Sequence, residues 1–576
     1  MSFNTIFDKL SALITGENGA NVLKTLVSSS DITLENFNTT LIELFLLVRG
    51  DTTIKNKIDA IFSMIKQQKD LTLKKLFYIN FVKTALFIRN PRNGKGEKAL
   101  FWDIIKFTLD HNIEIAKLLI SFIPEFGCWQ DINHLYNINI DIRKYLVEIM
   151  GNQILKDIEL CEKQEYNKLS LVGKWAPREN SKFKQFATEL AYYITQNNKG
   201  IKYYKMKLYR QHLSKLNTAL NTVEQFMCQK HWEDIDFNKV PSVSMTQYTN
   251  AFQDIKVSKF SKSMRRNIKT TQERRHNDKR DPDYYDRRAC REHLLSFLQE
   301  NKKVKSSVTN LSTIINNYLS SNNEDVVYES QWRSRVDEVK ELVKQLPSNP
   351  GIFPMVDLSS SMKGNPMVNA ITLGLFTSMI LDTEKEENEF CNRFMTFNTT
   401  PDLVRLPRDG SLYSKISVMK DWTTFGRWGG STNIQLAIRT LLDIGKKYNL
   451  PNDKMPKILA IFSDMQFDEG DSEWNETSYD MIKRDFDNAN YTVPHIIFWN
   501  LKSNTKSYEV LADTPNTTML SGFSTRMLDL FLTGDSDTLK IQDNKKSTMD
   551  VFMKALNHKM FDKFIDDIDK RVSVLC

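Results

Sequence analysis

Residues 353–362 read FPMVDLSSSM: apolar residues run up to a single carboxylate, Asp357, and small hydroxyls follow it. A short apolar run closed by turn-forming residues reads as a buried strand. Pro366 then opens PMVNAITLGLFTSMIL (366–381) as a helix, because the fixed φ of proline suits the first helical turn. Outward from there the segments alternate. NEFCNRFMTF (388–397) and PDLVRL (401–406) read as neighbouring strands, NIQLAIRTLLDIGKKY (433–448) as a helix and KILAIFSD (457–464) as a strand. A helix near SYDMIKRDF (478–486) and the strand VPHIIFWNL (493–501) complete the series. This alternation predicts a mostly parallel, doubly wound, Rossmann-like sheet, in which ligands bind beyond the carboxyl ends of the strands.

Asp357 and Asp464 both fall at such ends. Asp357-Leu-Ser-Ser-Ser361 is a DxSxS sequence, a spacing that can turn one carboxylate and two hydroxyls toward a common point. These are hard oxygen donors of the kind magnesium takes, and Thr432 in GGSTN and Asp464 in FSDMQ can supply further ligands or hold the metal's waters. DxSxS by itself also reads as a serine-rich helix cap; the strand context and the order of the three loops favour the metal.

Composition divides the chain in two. From Gly351 to the end there are 26 Lys and Arg against 31 Asp and Glu, so the net charge of +8 resolves into −5 there and +13 over residues 1–350. A phosphate backbone would be drawn to the basic part and not to the acidic part, although a charge surplus also serves solubility. No segment approaches the roughly 18 uninterrupted apolar residues that cross a bilayer, and MSFNTIFDKLSALITG lacks the basic start and cleavage site of a secretory signal. Six scattered cysteines without a CxxC pair suit a reducing compartment, and the cytoplasm is the expected location. The wealth of Asn, Lys and Ile points to an AT-rich genome, that of a microbe or a large virus, so this cytoplasm is a cell's own or a virus-infected host's.

Residues 1–250 carry apolar positions at three- and four-residue spacing, as in TLIELFLLVRG (40–50), KKLFYINFVKTALFIRN (74–90) and WDIIKFTLDHNIEIAKLLISFI (102–123). Helix, short turn, helix is the order of an all-α, HEAT-like repeat array. The domains expected are therefore a helical repeat over 1–255, a basic helical extension or connection over 256–349, and the α/β domain over 350–576. In the last, the stretch 549–575 reads as one amphipathic helix that closes the domain or docks on the helical half.

Three segments of the basic part could meet RNA. Arg89-Asn-Pro-Arg92-Asn-Gly-Lys95-Gly-Glu-Lys98 puts four cations and two glycines before a helix, where amides could face an anion; a solvated turn is the plain alternative. It is not a nucleotide-binding P-loop, since Gly96 stands where a Ser or Thr would hold magnesium, and no nucleotide cofactor is expected. Lys174-Trp175-Ala-Pro-Arg178 could stack on unpaired bases, or Trp175 could be a core anchor with Arg178 answering a carboxylate. Residues 256–291 hold Arg265, Arg266, Arg274 and Arg275 with Tyr284 and Tyr285 behind them, a composition shared by phosphate-contacting surfaces and by solvated charged helices.

The DxSxS, Thr432 and Asp464 series resembles the metal-ion-dependent adhesion site of von Willebrand factor A domains over residues 351 to about 540. RNPRNGKGEK (89–98), PEFGCWQDI (124–132), KWAPRENS (174–181) and IDFNKVPSVSMTQYTNAF (235–252) are similar to the helical half of the Ro autoantigen (TROVE) family and its TROVE-like relatives. That resemblance implies a ring of helical repeats closed by an A domain, binding structured or defective noncoding RNA in a ribonucleoprotein. An A-domain metal leaves one coordination position for an acidic group of a partner, so the expected metal, most simply Mg2+, recognises an acidic protein ligand. A hydrolase would need a base or nucleophile beside the ion; the loop has no DxD carboxylate pair and the eight His form no HExxH or triad pattern. A non-enzymatic RNA-binding protein is the expected function, with a metal-dependent protein scaffold as the alternative; Asp468 and Glu469 read first as the start of an acidic surface loop, with magnesium-assisted phosphoryl chemistry as the remote third reading.

Overall fold

The computed structural model describes residues 13–15, 21–23, 26, 32–196, 201–255, 285–300, 304–306, 310–320, 323–346, 350–380, 390, 392–397, 401–424, 433–467, 477–503, 508–532 and 546–575. A helical region is followed by an α/β domain, as the sequence predicts. Contacts gather the chain into two compact units that are not consecutive in sequence. One comprises Met1–Tyr145, Leu311–Asn323 and Val336–Cys576; the other comprises Leu146–Asn310 and Glu324–Arg335. Among the described residues no helix is long and apolar enough to cross a membrane.

In the first unit, β1 (Leu13–Thr15) and β2 (Asn21–Leu23) form a short antiparallel pair. The main sheet holds β3 (Ile352–Asp357), β4 (Arg393–Phe397), β5 (Asp402–Arg405), β6 (Ile458–Ser463), β7 (His495–Asn500) and β8 (Thr517–Ser521). Their order is β5-β4-β3-β6-β7-β8, every neighbouring pair parallel except β4 with β5. Every residue of β3 and β6 is buried, the pattern of central parallel strands covered on both faces. Pro354 is tolerated in β3 because it faces Ala460 on the β6 side, while the ladder to β4 begins one residue later at Met355. Helix Asn365–Ile380 packs on β3, β4 and β6, and helix Leu311–Ser320 packs on it and on Leu412–Thr424. A piece of the stretch read as a connection thus belongs to the layer over the sheet.

Helices Leu34–Phe45, Ile54–Gln67, Leu71–Arg89, Lys98–Leu109 and Ile113–Ser121 belong to this same unit. Their starts are set locally: Asp70 accepts from the amides of Thr72 and Leu73, and Asn112 from those of Glu114 and Ile115. The C-terminal stretch is two helices, Thr548–Leu556 and Ile565–Ser573, with a 3₁₀ turn at Lys559–Phe561 between them. The expected single helix fails for a geometric reason. In an unbroken helix, Phe552 and Phe561, nine residues apart, would point in opposite directions. The break lets both face the N-terminal helices, Phe552 against Phe45 (ring centroids 5.6 Å apart) and Phe561 against Phe126 (5.5 Å), with Phe564 5.9 Å from Phe122. Lys75 pairs with Asp569 at 2.8 Å on the same face. The segment both closes the α/β domain, by packing on β8, and docks on the helices.

In the second unit, helices Lys184–Ile194 and Lys202–Ala219 pack together. Helices Ser242–Phe252 and Tyr285–Gln299 enclose a core of Trp232, Phe237, Phe252, Cys290, Leu294 and Phe297.

Candidate cation site

The chain leaves β3 toward β4 and β5 on one side and returns to β6 on the other, so a crevice opens between β3 and β6 at their carboxyl ends. Pairing of Val356 with Phe462 puts Asp357 beside Ser463, one residue before Asp464. Asp357 is fully buried; its Oδ1 accepts from the Ser359 amide at 2.8 Å and its Oδ2 from the Ser463 hydroxyl at 2.6 Å. The hydroxyls of Ser359 and Ser361 are 2.9 Å apart. Asp464 is buried as well and accepts from the Gln466 amide at 3.3 Å. Met465 between them takes φ +60°, a left-handed conformation that costs an ordinary residue energy and marks a constrained loop.

Burial, and then the charge of Asp464, push the Asp357 carboxyl up to about 7, against the bonds from Ser463 and Ser359 that favour its ionised form. Among the described residues one ion pair reaches these two buried carboxylates: Lys502 Nζ lies 2.9 Å from Asp464 Oδ2 and 3.3 Å from Gln466 Oε1. Two acids short of positive charge beside two converging hydroxyls make a donor set that a small hard cation fits. Among the described residues no three His, Cys, Asp or Glu side chains converge to hold a metal; this set instead combines two carboxylates with hydroxyls. Thr432, the fifth expected ligand, and Asp468 and Glu469 lie outside the described residues. Lys502 went unseen in the sequence because it sits on the β7 end, paired to Asp464 only through the sheet.

Two family models match the chain, both described as domains of unknown function: DUF7788 over residues 353–565 and DUF2828 over residues 144–344. The first spans the whole candidate site, and the second covers most of the helical second unit. A curated relative, the uncharacterized protein L728 of Acanthamoeba polyphaga mimivirus, is 27% identical over 518 residues, covering 86% of this chain and 82% of the relative. No solved structure matches.

The expected RNA contacts fare differently. Arg89 and Lys95 are corrected by the structure: both are buried and spent internally. Arg89 makes an ion pair with the buried Asp131, Nη2 to Oδ2 2.7 Å. The Lys95 ammonium donates to the carbonyl oxygens of Phe45 (2.6 Å) and Leu47 and to Ser521 Oγ (2.7 Å), filling all three of its donors. Burial draws it down to about 7 while the neighbouring Glu97 holds it up. Glu97 is buried in turn and accepts from two Arg49 nitrogens, Nε at 2.9 Å and Nη2 at 3.2 Å. The amides expected to face an anion are also used, Lys95, Gly96 and Glu97 donating to the carbonyls of Phe87, Asn90 and Ile88. The segment is a clamp between the N-terminal helices and the end of β8. Gly522 shows how tight it is: at φ +92°, a Cβ there would lie 2.9 Å from Lys95 Cε and 3.3 Å from Glu97 Oε1. Gly522→Val should therefore lower stability by about 2–4 kcal/mol, from strain and displacement of the clamp together; an unchanged midpoint in urea unfolding would refute it.

Arg92 is exposed, and Lys98 is half-buried with its Nζ 2.9 Å from Gln130 Oε1 and 5.0 Å above the Trp102 ring. Lys174 pairs with Glu224 at 3.0 Å and stands 5.8 Å over the half-buried Trp175, while the exposed Arg178 donates to the Gly173 carbonyl at 3.1 Å. No carboxylate answers Arg178 in this turn among the described residues. Arg265, Arg266, Arg274 and Arg275 lie outside the described residues, as does Tyr284.

Proposed function

We propose that this chain is a non-enzymatic, cytoplasmic RNA-binding protein of the TROVE-like kind, a ribonucleoprotein component whose α/β domain is a von Willebrand A-type module. Asp357, Ser359, Ser361, Thr432 and Asp464 would hold a divalent cation, Mg2+ being the ion their hard oxygens favour. Bound there, the cation supplies an open position for an acidic group of a protein ligand. The observation that carries this reading is the buried, under-compensated pair Asp357 and Asp464 facing two hydroxyls at the switch point of the sheet. The hydrogen-bond partners of the two carboxylates among the described residues are Ser359, Ser463, Gln466 and Lys502, with no histidine to serve as a base. The RNA part rests on the +13 charge of residues 1–350.

A second reading, a metal-dependent protein scaffold without RNA, is favoured by the internal use of Arg89 and Lys95 and by the pairing of Lys174 with Glu224. Sequencing of RNA crosslinked to the purified chain separates the two: a defined RNA set whose binding weakens steeply with salt supports the first. Copurifying proteins without RNA above background support the second.

Lys502 offers a test of the cation alone. Its ammonium competes for the Asp464 oxygen that a metal would use, so Lys502→Met should tighten Mn2+ binding about tenfold, a gain of about 1.4 kcal/mol. Free Mn2+ followed by electron paramagnetic resonance reads this directly, and unchanged or weaker binding would count against the site.

A further inference from the structure

Tyrosines in the second unit differ widely in exposure. Tyr209, in helix Lys202–Ala219, is 1% exposed and donates its hydroxyl to the Pro177 carbonyl at 2.9 Å. Tyr203 and Tyr204 at the start of that helix are 70% and 47% exposed, and Tyr192, near the end of the packed helix Lys184–Ile194, is 43% exposed. The buried faces of these helices, with Phe186 and Leu190 on one and Met206 and Leu213 on the other, complete their packing without those three rings. Three large rings left in water serve no internal contact that the core needs.

The helix that carries Tyr203 and Tyr204 is itself of one charge. Residues 202–219, KYYKMKLYRQHLSKLNTA, hold five Lys and Arg and no Asp or Glu. Lys205 stands 4.8 Å over the Tyr192 ring and its Nζ lies 3.5 Å from the Thr195 carbonyl, so it faces the neighbouring helix, while Tyr203, two residues away, lies on the far side of its own helix. Lys202 and Lys207 are exposed, and among the described residues no ion pair holds either; Arg210, further along, is engaged by Glu179. Exposed flat rings interleaved with unpaired cations are the chemistry of a strand whose bases stack while its phosphates are neutralised. A duplex keeps its bases stacked on one another and offers nothing to the rings. An acidic protein would answer the lysines but would leave the two exposed rings without partners of their own.

We propose that Tyr203 and Tyr204, with Lys202 and Lys207, form a stacking surface for an unpaired RNA segment of about two nucleotides. This rests on the RNA-binding reading above and gives it a contact surface. Two lysines on a single strand should contribute about −1.4 to the slope of log affinity against log salt.

The test uses the full chain, a fluorescent twelve-residue oligouridine and a twelve-base-pair RNA duplex, with anisotropy read at two salt concentrations. The double variant Tyr203→Ala/Tyr204→Ala should weaken oligouridine binding tenfold or more. Tyr203→Phe/Tyr204→Phe, which keeps the rings, should stay within about twofold, and duplex binding should change little in either. These side chains are exposed, so unfolding midpoints should match the unsubstituted chain and loss of binding cannot be charged to loss of fold. If the unsubstituted chain binds oligouridine and the alanine variant binds it equally well, the surface is wrong while the RNA reading stands. Loss of oligouridine and duplex binding in equal measure would replace stacking by charge and overturn the single-strand assignment. If the unsubstituted chain binds neither RNA and copurifies none, the reading beneath the proposal fails and the surface falls with it.

Discussion

Asp131→Asn should lower the stability of the chain by about 3–5 kcal/mol, the scale set by removing one partner of a buried ion pair. Both side chains of the pair are buried, and Asp131 gathers every donor near it. Arg89 reaches Oδ2 with Nε at 2.8 Å and Nη2 at 2.7 Å, the Cys128 amide reaches the same oxygen at 3.0 Å, and Trp102 Nε1 reaches Oδ1 at 3.2 Å. Asparagine has nearly the same shape, so the substitution leaves no cavity. It removes the charge that answers Arg89 and turns an amide donor toward groups that are themselves donors. The guanidinium cannot escape by losing its proton. Gly127 fixes the geometry further, since a Cβ there would lie 2.7 Å from Asp131 Oδ2. Urea unfolding of the full chain measures the effect as a lowered midpoint at unchanged slope. A loss below about 1 kcal/mol would place the pair among weak surface bridges and sink the argument. Arg89→Met added to Asp131→Asn should recover part of the loss, because the stranded charge is then gone.

Asp357→Asn is expected to abolish divalent cation binding and to flatten the pH dependence of stability. The native carboxyl is pushed up to about 7, whereas in the unfolded chain it titrates near its ordinary value of about 3.9. Between those values the native state holds a proton that the unfolded chain has released. Stability of the cation-free protein therefore falls as pH rises from about 4 to about 7 and levels off above. Glu509, buried and pushed up to about 8, adds a slope of the same sign, so the variant reduces the slope without erasing it. At pH 8 the cation-free variant should melt above the unsubstituted chain, having lost the repulsion from Asp464. Added Mg2+ should raise the melting temperature of the unsubstituted chain only, since binding to the native state alone stabilises it. A magnesium-dependent rise in the variant would remove Asp357 from the ligand set.

How much was legible turns on how far apart the interacting residues lie. The strand ending in Asp357, the helix opened by Pro366 and the strand ending in Asp464 are each written within some fifteen residues, and periodicity suffices to read them. β8, TTMLS, is only five residues of mixed character and went unread; it becomes a strand because β7 offers it a ladder from Thr517 to Ser521. The basic turn at 89–98 shows the opposite failure. Charge in a Pro- and Gly-bounded turn reads as surface, and nothing local reveals that Asp131, Ser521 and Arg49 answer its charged groups.

By itself the sequence determined the succession of helices, the α/β alternation after residue 350, the electrical asymmetry and the carboxylates at two strand ends. Only the tertiary structure decided that helices before residue 145 share a compact unit with the sheet, that Lys502 stands against Asp464, and that Arg89 and Lys95 face inward. Periodicity and local composition report what a segment can bury. Which charge meets which depends on contacts hundreds of residues apart, as between Lys95 and Ser521, and these are set by the packing of whole elements.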